Sequence, residues 1–163
     1  MDYYPDLIQV FKSIPIFLDL KDYQLARLAE ISEIVEVQSD SIIMNEGDKP
    51  DCVFIVLEGE IQVEVFVPVC GNTETSRLGP LDILGWTALT PVVRQRTGTA
   101  LTVTPCTLLK LDGARLIDLC EKDHDIGLMV YKRISNVAAR SFLTTRLQLM
   151  NLLVNAYQSH KVS

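Results

Sequence analysis

A glycine, a short turn and an arginine within a dozen residues form the part of this chain best suited to chemistry. Gly85 is followed by Trp86-Thr87-Ala88-Leu89, a short helix-like piece that Pro91 stops. Arg94 and Arg96 come next, before a β-patterned run over 97–104. A glycine that frees the backbone, a helix start that aims its N–H groups and an arginine opening the next strand concentrate donors on one anion. A guanidinium offers a planar fork of donors to two oxygens of such an anion. Arg96 is the candidate for that role. Arg94, two residues earlier on the same expected strand face, is the fallback.

Other chemistries find little support. His124 and His160 both fall outside the expected strands, and neither G-x-S-x-G nor H-E-x-x-H occurs. Cys52, Cys70, Cys106 and Cys120 are scattered without a C-x-x-C pair, so buried, reduced thiols are expected. No metal site, no cofactor and no enzyme activity is expected.

Positioning such a site takes a folded core, and the composition allows one. The chain has 163 residues, 48% of them apolar, which suits one ordered domain with an appendage. A net charge of −6 and a pI near 4.9 oppose non-specific attraction to nucleic acid or anionic membrane. The longest apolar runs, such as 52–57, are too short to cross a bilayer, and the start MDYYPDL lacks the pattern of a secretory signal. A cytoplasmic address is expected.

The chain divides into three parts of one domain. Residues 1–32 read as an N-terminal helical segment: a short helix over 5–12 and a second over 22–30, with Asp19 or Asp22 as its cap. Residues 33–112 are β. Short runs at 33–37, 41–44, 52–57, 60–66, 74–78, 97–104 and 106–111 are separated by turn-rich segments, with Gly71-Asn72 as one reversal. In 60–66, Ile61, Val63 and Val65 alternate with Glu60, Gln62 and Glu64, whereas 52–57 is apolar throughout and so buried on both faces. About eight such strands predict a jelly-roll-like double-stranded β-helix, or β-roll. Residues 113–163 are helical: 114–120, then, after Asp123 as a cap, a long helix over 126–157 with no proline. Leu143, Leu147, Met150, Val154 and Tyr157 recur at spacings of 4, 3, 4 and 3, a heptad seam that suits a second copy of the chain. Ile134 and Val137 are expected to pack on the roll instead.

Two segments resemble a known family. Gly47-x3-Asp51-x-Val53-Phe54-Ile55-Val56-x2-Gly59-x-Ile61 is similar to the strand–turn–strand signature of cyclic nucleotide-binding domains in the catabolite activator protein superfamily. Leu84-Gly85-x2-Ala88-Leu89, with Arg96-Thr97-Gly98-Thr99-Ala100 after it, resembles that family's phosphate-binding cassette, here at 84–100. The resemblance spans roughly residues 11–149. It implies a mainly β roll with flanking helices and a long dimerising C-terminal helix, in a regulatory domain whose ligand is cyclic AMP, cyclic GMP or a related phosphorylated molecule. Gly85, Trp86, Thr87, Ala88, Arg96, Thr97 and Gly98 would form the cassette. Thr144 and Thr145 resemble the hydroxyl pair that reads the base.

The departures from the family pattern are specific. Where the family has a glutamate that accepts from the ribose 2′-hydroxyl, this chain has Trp86, whose one polar atom is a donor. A lost partner for a buried hydroxyl costs about 1–3 kcal/mol, about one to two decades of affinity. Trp86 therefore plugs the pocket, stacks on an altered ligand, or turns outward and leaves the site usable. If it plugs the pocket, the domain is a degenerate one that acts as a dimeric interaction module with an unknown effector protein. Gly98 stands where the family usually has alanine. A helix-turn-helix would have to follow the dimer helix, and the sequence ends within a few residues of it, so DNA binding by this chain is not expected.

Overall fold

The computed structural model describes residues 6–161. The first five residues of the expected N-terminal segment and the last two of the chain lie outside the described residues, as does the side chain of His160. Helix α1 (Leu7–Ser13), a 3₁₀ turn (Pro15–Phe17) and α2 (Asp22–Ala29) come first. Eight strands follow: β1 (Ser32–Val37), β2 (Ile42–Met44), β3 (Cys52–Glu58), β4 (Ile61–Val67), β5 (Gly71–Leu78), β6 (Ile83–Leu84), β7 (Thr99–Thr102) and β8 (Cys106–Asp112). A 3₁₀ turn at Trp86–Leu89 separates β6 from β7, and α3 (Gly113–Lys122) and α4 (His124–Lys161) close the chain.

The strands form two four-stranded antiparallel sheets, in the orders β1-β8-β3-β6 and β2-β7-β4-β5. The expected roll with flanking helices is the observed architecture. Strand β3 explains its own composition. Cys52, Phe54 and Val56 face the other sheet, while Val53 and Ile55 face the helices, so both sides need apolar residues. In β8 the two faces separate likewise: Cys106 and Leu108 join the inter-sheet core, Leu109 and Leu111 the helix-side core. The larger, helix-side core gathers Phe11, Phe17, Leu25 and Leu28 from the N-terminal segment with Leu116, Ile126 and Ile134 from α3 and α4. Val137 packs against it as well.

Several boundaries differ from expectation for physical reasons. The chain reverses at Pro68–Cys70, with Val69 at φ 75°, so β5 begins at Gly71 and the expected turn residues Gly71 and Asn72 pair with Val67 and Phe66. Cys70 sits on this reversal and is exposed, against the expectation of burial; Cys52, Cys106 and Cys120 are buried. Strand β7 starts at Thr99, so Arg94 and Arg96 lie in the loop before it and share no strand face. Neither Asp19 nor Asp22 caps α2. Lys21 is its first boundary residue, and the Gln24 side chain accepts from the Lys21 N–H at 2.9 Å.

The same glutamine ties the two ends of the domain together. Gln24 is 1% exposed, and its amide donates to both carboxylate oxygens of Asp123 at 3.0 and 3.1 Å. Asp123 in turn accepts from the Ile126 N–H at 3.2 Å, the cap expected for the long helix. A buried amide is tolerable only while paired. Gln24→Ala is therefore expected to lower stability by about 1–3 kcal/mol, read as a reduced urea midpoint by Trp86 fluorescence. An unchanged midpoint would show the bridge to be dispensable.

Candidate functional site

Arg96 is the largest side chain that is fully buried, at 2% exposure. The loop before β7 delivers it, and both its backbone groups are held: its N–H donates to Asp48 O at 2.7 Å and its carbonyl accepts from Gly47 N–H at 2.9 Å. Gly47 has φ +86°, a conformation glycine adopts without strain. The side chain then crosses to the start of β3 and the end of β6. Nη2 donates to the Cys52 carbonyl at 2.8 Å and to Asp51 Oδ1 at 3.0 Å, with Cys52 Sγ at 3.4 Å. Nη1 donates to the Gly85 carbonyl at 3.0 Å, which also accepts from the Ala88 N–H.

A guanidinium has five N–H donors. Nη2 uses both of its hydrogens and Nη1 one, so among the described residues the Nε hydrogen and one on Nη1 find no acceptor. The group is thus oriented and still has donors for an oxyanion. Its one carboxylate partner, Asp51, is 75% exposed, so much of the guanidinium charge goes uncompensated within the fold.

The cassette around it is tight. Gly85 has φ +79°; a Cβ there would collide with Arg96 Nη1 and stand 2.9 Å from the Cys52 carbonyl oxygen. Gly98 is buried against β4, where a Cβ would sit 3.0 Å from Val63 Cγ1 and 3.1 Å from Glu64 O. Alanine, the family's usual residue, would therefore need a small backbone shift. Thr87 is buried at 3%, and its Oγ1 has no hydrogen-bond partner. Thr97 is exposed, as is Arg94. Trp86 is half-buried and, with Ala88, packs against the helix-side core rather than the inter-sheet one.

On α4, Thr144 is half-buried and Thr145 exposed. One turn beyond Thr144, Gln148 Nε2 donates to the Thr75 carbonyl of β5 at 3.0 Å, which fixes this face of the helix toward the roll. Arg133 reaches the Leu81 carbonyl at 3.1 Å, and Arg140 stands 3.9 Å from Asp82. The seam residues Leu143, Leu147, Met150, Val154 and Tyr157 are all at least half exposed.

A cavity of about 580 Å³ opens between the sheets at their β1 and β2 edges. Val37, Met44, Phe54 and Leu108 form its walls, and the positive charge of Lys49, Lys110 and Arg96 is partly offset by Asp48 and Asp51. Arg96 is the one cassette residue that lines it. Gly85 of the cassette and Thr144 of the base-reading pair do not line it.

The sequence reading missed Asp51 as a site residue, although it stands inside the two-glycine segment. A carboxylate four residues after a turn glycine, with one buried arginine elsewhere to satisfy, was the available signal. Its carboxyl is held below the usual range, first by the Cys52 thiol that donates to it at 3.1 Å, against some desolvation, and then by its own N–H and the Arg96 charge. Cys52 is pushed up to about 11, chiefly by burial, and burial also lifts Cys120 to about 11. Both remain thiols at neutral pH, which removes them as nucleophiles. Among the described residues no group of three or more His, Cys, Asp or Glu could hold a metal ion. No helix there is long and apolar enough to cross a membrane.

A carboxyl with a depressed folded pKa adds stability above its unfolded value, near 4, and loses it as the pH falls through the folded value. The stability gap between wild type and Asp51→Asn should therefore hold between about pH 5 and 7 and close below about pH 4. Because Asp51 is mostly exposed, the gap should be of surface-pair size. A gap that is the same at about pH 2.5 as at neutrality would rule out the charge contribution.

Comparison with known proteins gives a family and a shared fold. The cyclic nucleotide-binding domain family matches residues 34–123. The cAMP-dependent protein kinase regulatory subunit of Dictyostelium discoideum is 31% identical over 116 residues, covering 69% of this chain and 35% of that protein. The chain thus spans about a third of that relative's length. Three solved structures share the fold. A cyclic nucleotide-binding domain from Methylobacillus flagellatus has TM-score 0.73 and 19% identity, over 89% of this chain and 81% of its own. A cyclic nucleotide-binding-like protein from Brucella abortus has TM-score 0.57 and 22% identity, over 72% and 99%. The regulatory domain of Toxoplasma gondii PKA, solved with cAMP, has TM-score 0.60 and 21% identity, over 69% and 42%.

Proposed function

The chain belongs to the cyclic nucleotide-binding domain family, and on that premise we propose that it is a regulatory sensor of a cyclic nucleotide or a related phosphorylated small molecule. The observation that carries this reading is Arg96: a fully buried guanidinium, oriented by Gly85, Cys52 and Asp51, with donors to spare for an oxyanion. Burying an arginine against mostly neutral acceptors costs free energy that a bound anion offsets. The Dictyostelium relative is named as cAMP-dependent, and the Toxoplasma domain was solved with cAMP, which favours a cyclic phosphodiester as the ligand class.

Trp86 supports a second reading, that of a dimeric interaction module without a ligand. Its indole packs on the helix-side core and provides no acceptor for a ribose hydroxyl. In both readings the domain pairs with a second copy through Leu143, Leu147, Met150, Val154 and Tyr157, and it passes its signal to an effector protein. Neither reading gives it catalysis, nucleic-acid binding or a membrane anchor, and a cytoplasmic address fits the acidic balance.

Calorimetry with cyclic AMP, cyclic GMP and inorganic phosphate separates the readings. The sensor reading expects binding by wild type that falls at least about tenfold in Arg96→Ala, the loss of a charged hydrogen-bonded contact. Equal binding by the two proteins would remove Arg96 from the site. The Trp86→Glu variant restores an acceptor and should gain about one to two decades for cyclic AMP. Thermal unfolding of that variant, measured alongside, accounts for its altered packing. No binding by any of the three proteins would favour the interaction module.

A further inference from the structure

The second half of α4 carries two apolar rows. Leu143, Leu147, Met150 and Val154 form the first, with exposures between 50% (Met150) and 53% (Leu147). Phe142, Leu149 and Leu153 form the second, at 70%, 56% and 62%. Each member of the second row stands one residue before a member of the first, and one residue turns a helix by about 100°. The rows therefore lie about 100° apart. The roughly opposite face is the one Gln148 fastens to β5, so both rows point away from the domain's own body.

The composition of this stretch is that of an interior. Arg146 is the single Lys, Arg, Asp or Glu between Ser141 and Ser159, in a chain that is 22% charged. The other polar residues there, among them Thr144, Gln148, Asn151 and Asn155, are uncharged. Depletion of charge marks the centre of an interface. A two-stranded coiled coil requires two apolar residues per heptad. Over 142–155 eight of fourteen residues are apolar, twice that density: seven form the two rows, and Leu152, 67% exposed, lies one turn after Gln148 on the remaining face.

We infer that α4 enters a four-helix assembly of four copies of this chain, each helix meeting one neighbour along the first row and another along the second. This extends the pairing proposed above and rests on it for the first row. The angle selects the number. Neighbours of one helix stand about 60° apart in a triangle of helices, about 90° in a square and about 108° in a pentagon. Two rows about 100° apart exclude the triangle, and an assembly closed by two-fold contacts along each row holds an even number of chains. The composition also selects copies over an unlike chain. Partner choice between unlike helices is written in flanking charges, and this stretch has one. A membrane surface fits less well, because a surface-binding helix carries Lys and Arg on its polar face. Arg146 stands in the second row between Phe142 and Leu149; its stem packs there while its head reaches solvent. Four such heads near one another weaken the second contact relative to the first.

Sedimentation of the full chain at micromolar concentration, with native mass spectrometry, reads the outcome directly. The wild type is expected at four times the 18.3 kDa chain mass. Leu153→Lys should leave two chains, and Leu153→Lys with Leu147→Lys one. Arg146→Leu should extend the four-chain species to roughly tenfold lower concentration, as removing a repelling charge predicts. Leu147 and Leu153 are more than half exposed within one chain, so their variants should keep a folded roll with one cooperative thermal transition, shifted only as far as the loss of assembly requires. A wild type that sediments as two chains, unaffected by Leu153→Lys, would overturn the four-helix inference and leave the pair intact. A single chain would remove both. A two-chain wild type that floats with phosphatidylserine vesicles would assign the second row to a lipid surface instead.

Discussion

One buried guanidinium holds the centre of this fold together. Arg96 joins three separate pieces of chain to its own loop: the Gly47–Asp48 turn through its backbone, the start of β3 through Asp51 and Cys52, and the end of β6 through Gly85. A fully buried charge is unfavourable unless its surroundings are built for it. The surroundings here are two carbonyl oxygens and one exposed carboxylate, and the glycine at position 85 leaves room for them. The two glycine-marked segments are thus one site, brought together across more than forty residues by a single side chain. The loop that carries Arg96 cannot move without disturbing the start of β3 and the end of β6.

How far this was legible follows from the range of each interaction. Alternation in β4 and the unbroken apolar run of β3 report burial directly, so the strands and the roll could be read from local pattern. The long helix could be read for the same reason, since proline is absent and the heptad is regular. Contacts between distant segments could not. Nothing local says that Asp51 faces Arg96, that Gln24 crosses to Asp123, or that Gln148 reaches Thr75. The reversal at Pro68–Cys70 was hidden for a different reason. It places Val69 in the left-handed region, where β-branched residues are rarely found, while Gly71-Asn72 nearby is the stronger turn signal.

Trp86 shows the limit of reasoning by position. The family pattern puts it at the ribose, and the sequence left three roles open: to plug the pocket, to stack on a ligand or to turn outward. In the fold the indole is half-buried and packs against the helix-side core, on a 3₁₀ turn that touches α3 and β3. The residue that replaced an acceptor thus became part of the packing between the cassette and the helices. Whatever moves the cassette must therefore also move that core.

The bridge at Asp123 has a mechanical consequence. Helix α4 is 38 residues long, about 57 Å from end to end at the usual rise. It is held at its root, where Asp123 is gripped by Gln24 and Gly127 lies so close to α3 that a Cβ there would stand 2.6 Å from the Cys120 carbonyl oxygen, and again along its length by Arg133 on Leu81 and Gln148 on Thr75. Past Gln148 the helix runs on to Lys161, a lever of about 20 Å at the usual rise. A tilt of one degree at Gln148 moves that end by about 0.3 Å. A shift at the root therefore reaches the tip together with β5, the strand that Gln148 holds.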